Sequence, residues 1–116
     1  MPHIHLEATP NAVANMDLII VLRELVKKLA SYEDIDPASV KAYYTERPIY
    51  VMGEGAARGF VHCTVALMSG RPPELRQAIA EGMMGVLRIA FRRATDLKQA
   101  GLTLELREMD RETYQK

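Results

Sequence analysis

The sequence has one cysteine, Cys63, among its 116 residues. No internal disulfide can form, which suits a reducing compartment and predicts a cytoplasmic protein. Neither charge is in excess: Lys and Arg total 15, and Asp and Glu total 15. Binding nucleic-acid phosphates calls for surplus cations, so nucleic acid is not an expected partner. Long apolar runs are missing too. Asp17 breaks one and Arg23 the next, so no membrane span is expected. The opening residues show no basic region followed by an apolar core, so no signal peptide is read. Also absent are a glycine-rich dinucleotide loop, a Walker loop, a zinc-spaced Cys/His set and a nucleophile elbow. With one cysteine and no serine-centred motif, nucleophilic catalysis has no visible candidate.

What remains is an ordinary globular balance, 48% hydrophobic and 26% charged. A chain this long buries roughly 65% of its unfolded surface and needs no metal or disulfide staple. One domain over residues 1–116 is therefore expected.

Periodicity divides the chain into two similar halves. Pro2–Glu7 alternates apolar and polar residues and reads as a strand, followed by a turn at residues 8–11. Met16, Ile19, Ile20, Leu22, Leu25, Val26 and Leu29 recur at three- and four-residue steps, predicting a helix to Ala30. Asn15 or a nearby Asn would cap it, and lysines fill its last turns. Val40–Glu46 reads as a second strand, and Ile49–Met52 as a continuing edge piece. Phe60–Met68 is apolar on both faces and predicts a central strand buried on both sides. Pro73 opens a long helix to Gln99, with Gly101 as its C-terminal cap. Leu102–Arg107 alternates again as a last strand, and Asp110–Lys116 reads as a polar tail.

These elements predict an α+β fold. Two βαβ units form a four-stranded mixed sheet with two helices on one face. If the helices cover Val61, Cys63, Val65 and Leu67, the other face carries Phe60, His62, Thr64, Ala66 and Met68. A face of that character is expected to be covered by another subunit.

Four features could carry chemistry. Pro2 becomes a secondary amine if Met1 is removed, and burial beside cations would keep such an amine neutral and basic near pH 7. On frequency alone, a proline at position 2 needs no explanation. Arg71, in the loop Ser69-Gly70-Arg71 at a helix start, suits a carboxylate or phosphate; in isolation it also reads as an exposed arginine. His3, His5 and Glu7 share one strand face and read as a polar face rather than a metal site. His62 reads as a hydrogen-bonded interior histidine. Arg88, Arg92 and Arg93 read as the solvated face of the second helix. Met83 and Met84 read as core filler.

Taken together, three stretches resemble the 5-carboxymethyl-2-hydroxymuconate isomerases of the tautomerase superfamily. They are the opening Met-Pro-His-Ile-His-Leu-Glu, the loop Ser69-Gly70-Arg71 after Phe60-Val61-His62, and the end Arg107-Glu108-Met109-Asp110-Arg111. The resemblance spans essentially the whole chain. It implies a homotrimer whose sheets line a central barrel, and an enol–keto isomerisation needing no cofactor or metal. It implies that Pro2 is the base and that Arg71 binds a carboxylate of a small-molecule substrate. It also implies a role in aromatic-acid catabolism in the cytoplasm. A second family arginine aligns with Lys41, which keeps the charge but lacks the bidentate fork. The departure leaves open a second reading, a non-catalytic oligomer of the same fold that binds small carboxylates. A sheet-based RNA binder fits poorly, because the central strand lacks paired aromatics to stack bases.

Overall fold

The computed structural model describes residues 1–116. Its strands are β1 (His3–Ala8), β2 (Lys41–Glu46), β3 (Phe60–Met68) and β4 (Gly101–Met109). Its helices are α1 (Leu18–Ala30), α2 (Pro73–Ala90) and α3 (Arg92–Asp96), with 3₁₀ turns at Pro10–Ala12 and Pro37–Ser39. The sheet order is β2-β1-β3-β4. β1 and β2 are parallel, β3 and β4 are parallel, and β1 and β3 are antiparallel. The two expected βαβ units thus meet along one antiparallel seam, giving the expected mixed sheet.

The core follows from the strand alternation. Ile4, Leu6 and Ala8 of β1 and Val61, Cys63, Val65 and Leu67 of β3 are buried on one face. Val21, Leu25 and Leu29 of α1 and Ile79, Met83 and Leu87 of α2 belong to the same 17-residue cluster. Each such side chain contributes about 1.5–3 kcal/mol on burial. Met84 packs against the cluster, while Arg88, Arg92 and Arg93 are exposed as expected.

Several boundaries differ from the sequence expectation. Asp17, not an asparagine, caps α1: its carboxylate accepts from the backbone N–H of Ile19 and Ile20. Asn15 instead takes the left-handed conformation, φ 63°, in the preceding turn. The buried stripe of α1 is one residue off at its start, so Val21 points inward while Ile19 and Ile20 are more than half exposed. The long second helix ends at Ala90, where Phe91 leaves helical geometry and drops into the core. No glycine or proline marks that break. The left-handed turn before β4 falls on Lys98, φ 55°, and Gly101 opens the strand rather than capping the helix. Residues 49–52 form no strand. The β2 ladder ends with Arg47 N–H donating to Ala8 C=O, and Pro48 has no N–H to continue it.

β3 lies in the sheet interior but is buried on one face only. Its other face is half-exposed and more polar than β3 alone suggests, because the neighbouring strands supply His5, Glu7, Thr103 and Glu105 beside it, and Thr45 of β2 lies beyond β1. The groups pair: His5 with Thr45 at 3.0 Å and His62 with Thr103 at 2.7 Å.

Thr9 is the one fully buried polar side chain. Its hydroxyl donates to Asn11 Oδ1 at 2.8 Å and accepts from Phe60 N–H at 3.0 Å. Asn11 Nδ2 in turn donates to Gln99 C=O. This clamp joins the end of β1 to the starts of β3 and β4. Gly59 is buried beneath it, and a Cβ there would collide with the Thr9 hydroxyl and the Asn11 amide. Gly59→Ala is therefore expected to destabilise the fold by about 1–3 kcal/mol through overpacking, read as a lower urea midpoint at unchanged m-value.

Candidate active site

Strand directions decide what meets at one end of the sheet. The register pairs His3 with Ala66 of β3 and with Lys41 of β2, and Met68 with Met109 of β4. The starts of β1 and β2 and the ends of β3 and β4 therefore converge. A cavity of about 440 Å³ opens there, walled by Pro2, Met68, Arg71, Arg111, Tyr114 and their neighbours. Pro2 and Arg71, nearly seventy residues apart in sequence, are thus brought to one pocket.

Pro2 is buried, and its carbonyl accepts from Lys41 N–H. In the encoded chain its nitrogen is the amide to Met1, which also lines the cavity. The Met1 α-amino group is held below its ordinary value of 8.0, first by desolvation, then by the charges of Lys41, Lys116 and Arg71, against an opposing effect of Asp36. This end of the molecule disfavours a protonated amine.

Arg71 is mostly buried and firmly oriented. Its Nε donates to Asp34 Oδ2 at 2.7 Å and its Nη1 to Met68 C=O at 3.0 Å, leaving Nη2 unpartnered. Asp34 is nearly half exposed, so this ion pair is worth at most about 1 kcal/mol and serves mainly to aim the guanidinium. The loop carrying Arg71 is tied from several sides. Ser69 N–H donates to Met109 C=O, Gly70 N–H to Glu108 and Arg76 Nε to Arg71 C=O. Gly70 sits at φ +118°, a conformation that side chains rarely adopt.

Lys41 is placed differently. Its backbone adjoins Pro2, but the side chain is exposed, donates to Ser39 C=O and does not wall the cavity. Its charge nevertheless reaches both the chain terminus and His3.

The residues with metal-like spacing are each engaged elsewhere: His3 with Tyr114 at 2.9 Å, His5 with Thr45, and Glu7 with Arg47. No group of three His, Cys, Asp or Glu side chains is arranged to hold a metal ion. Cys63 faces the core, and burial pushes its thiol up to about 12, far from thiolate chemistry.

Sequence reasoning missed the chain's end. Residues 110–116 fold back as a turn, with Tyr114 N–H donating to Asp110 C=O, and contribute Arg111, Tyr114 and Lys116 to the cavity. No periodicity marks such a segment; its concentration of Arg, Tyr and Lys after the last strand was the available signal.

The double βαβ sheet, with Pro2, Arg71, Arg111 and Lys116 around one open cavity at its end, is a tautomerase-like arrangement. The chain belongs to the 5-carboxymethyl-2-hydroxymuconate isomerase family, whose model matches residues 2–116. No curated protein matches the chain. Among solved structures it is similar to a 5-carboxymethyl-2-hydroxymuconate isomerase from Deinococcus radiodurans R1, at 23% identity and TM-score 0.89, covering 99% of this chain and 87% of that one. A 5-carboxymethyl-2-hydroxymuconate delta-isomerase is similar at 18% identity and TM-score 0.88, covering 100% and 87%. A fused 4-OT symmetric trimer is similar at 21% identity and TM-score 0.68, covering 93% and 85%. No helix is long and apolar enough to cross a membrane.

His3 reports on the electrostatics of this region. Burial, then Lys41 and the chain terminus, lower its pKa below the ordinary 6.5, so the ring is neutral at pH 7. Lys41→Met is expected to raise the His3 pKa toward 6.5, and a histidine NMR titration reads the shift.

Proposed function

We propose that this isomerase converts a carboxylated 2-hydroxymuconate-like enol to its keto form, with the amine of Pro2, freed by removal of Met1, as the base. The observation that carries the proposal is that Pro2 and Arg71 wall one cavity in a chain of this family. The amine takes the enol O–H proton, leaving a conjugated enolate. The resulting ammonium returns that proton to a carbon of the conjugated system, and the double bonds shift with no net change in atoms or charge. Arg71 holds a substrate carboxylate through its free Nη2. Lys41, Lys116 and Arg71 stabilise enolate charge and keep the amine unprotonated. Lys41 acts at a distance in this scheme, as a charge rather than a fork.

The proposed assembly is a homotrimer working in the cytoplasm in aromatic-acid catabolism. Two features support association. The outer sheet face is only half covered, and Ile49 and Val51, each 96% exposed, stand on the extended segment after β2. Similar solved structures of fused 4-OT, which are trimers, support this assembly.

The test is ultraviolet decay of 2-hydroxymuconate with protein whose mass lacks Met1. Pro2→Ala is expected to lower kcat/KM by about 10²–10⁴, the range of a general base. Arg71→Ala is expected to raise KM by about tenfold or more, with a smaller effect on kcat. The wild-type rate should rise with pH as the Pro2 ammonium loses its proton, because the free base is the active form. A fully active Pro2→Ala protein would overturn the mechanism. Ligand binding with no turnover by the processed wild type would favour the non-catalytic carboxylate binder.

A further inference from the structure

The cavity holds a second guanidinium, that of Arg111, which the mechanism above does not use. Arg71 and Arg111 hang on consecutive carbonyl groups at the end of β3. Arg71 Nη1 donates to Met68 C=O and Arg111 Nε donates to Ser69 C=O. Their electrostatic situations differ. Arg71 faces Asp34, whereas no carboxylate lies within ion-pair distance of Arg111. The other acidic wall residue, Asp36, already accepts from Ala38 N–H. Arg111 therefore presents two unpartnered Nη groups beside a neighbour of like charge, an arrangement that an anion would relieve.

The position of Arg111 is built rather than incidental. The turn beginning at Asp110 is closed by Glu112 N–H on Asp110 Oδ1 and by Thr113 and Tyr114 N–H on Asp110 C=O. Tyr114 then fastens the segment to His3 at the start of β1. The Arg111 guanidinium lies over Gly70, where a Cβ would stand 3.5 Å from Nε.

We infer that Arg111 is a second carboxylate-binding residue of this site, taking the distal carboxylate of a dicarboxylate whose proximal carboxylate sits on Arg71. The inference rests on the proposed function for the identity of the reacting substrate, but the recognition it describes does not require turnover. It makes the end of the chain a determinant of specificity: Arg71 serves any carboxylated ligand, and Arg111 selects those with a second carboxylate at the far end.

Two six-carbon acids separate these roles: adipate, with a carboxylate at each end, and hexanoate, with one. Calorimetric titration of the processed full-length protein is expected to show tighter binding of adipate. Arg111→Ala should weaken adipate by about tenfold or more and leave hexanoate within about twofold. Arg111→Lys, which keeps the charge but not the fork, should recover only part of the loss. Arg71→Ala should weaken both ligands. On 2-hydroxymuconate, Arg111→Ala should raise KM by a similar factor with kcat nearly unchanged. Circular dichroism of each variant confirms the fold. An adipate affinity unmoved by Arg111→Ala, an equal loss for both acids, or a wild type with no preference for adipate overturns the inference. Arg111-dependent adipate binding in a protein that does not isomerise the enol upholds it while refuting the proposed reaction.

Discussion

The antiparallel pairing of β1 with β3 is the constraint on which the rest depends. Each βαβ unit alone would place its strand starts at one end and its strand ends at the other. Reversing one unit against the other brings the start of β1 to the end of β3. Pro2 and the loop Ser69-Gly70-Arg71 then share a pocket, and the parallel β3–β4 pairing carries the chain's last residues to the same place. The seam is held by buried, tightly alternating side chains, Ile4 and Leu6 against Val61, Cys63 and Val65. A one-residue slip along it would turn Ile4 and Leu6 to the outer face and His3 and His5 into the core, so register is strongly fixed. The pocket inherits that precision from the core rather than from its own contacts, most of which are partly exposed and individually weak.

Electrostatics at this end of the sheet serve a single purpose. Desolvation, then the charges of Lys41, Lys116 and Arg71, disfavour a protonated amine where the chain begins, and Arg111 adds a further cation to the cavity wall. Asp34 aims Arg71, and Asp36 is engaged by its own turn. In the proposed function, lowered basicity and carboxylate recognition are two effects of one field. Lys41 acts on the amine through space while its side chain stays outside the wall.

Much of this was legible in the sequence, and the failures have physical reasons. Strand alternation identified β1 and β4, because period-two patterning is a direct record of burial, whereas β3 stood out as an apolar run and was read as buried on both sides when only one side is. Pro2 and Arg71 stood out through their local context, a proline at position 2 and an arginine between glycine and proline at a helix start. Ile49–Met52 has strand-forming residues but no strand beside it, and composition cannot supply a partner. The break at Phe91 comes from a buried aromatic pulling the chain inward, a tertiary effect with no local marker. The outer sheet face looked apolar because β3 was read alone; its polarity comes from β1, β2 and β4. Arg111 and Tyr114 were invisible as site residues for the same reason: a polar tail has no period, and only the β3–β4 register carries it to the pocket.

The central claim is that this cationic, partly desolvated sheet end makes a basic, neutral amine of Pro2. Its most direct test is a ¹⁵N NMR titration of the Pro2 amine in protein whose mass shows Met1 removed. The account predicts a single proton dissociating with a pKa below that of the same amino-terminal proline in the unfolded chain. A pKa at or above that unfolded reference, or a mature protein that retains Met1 and so carries an amide at Pro2, would contradict it.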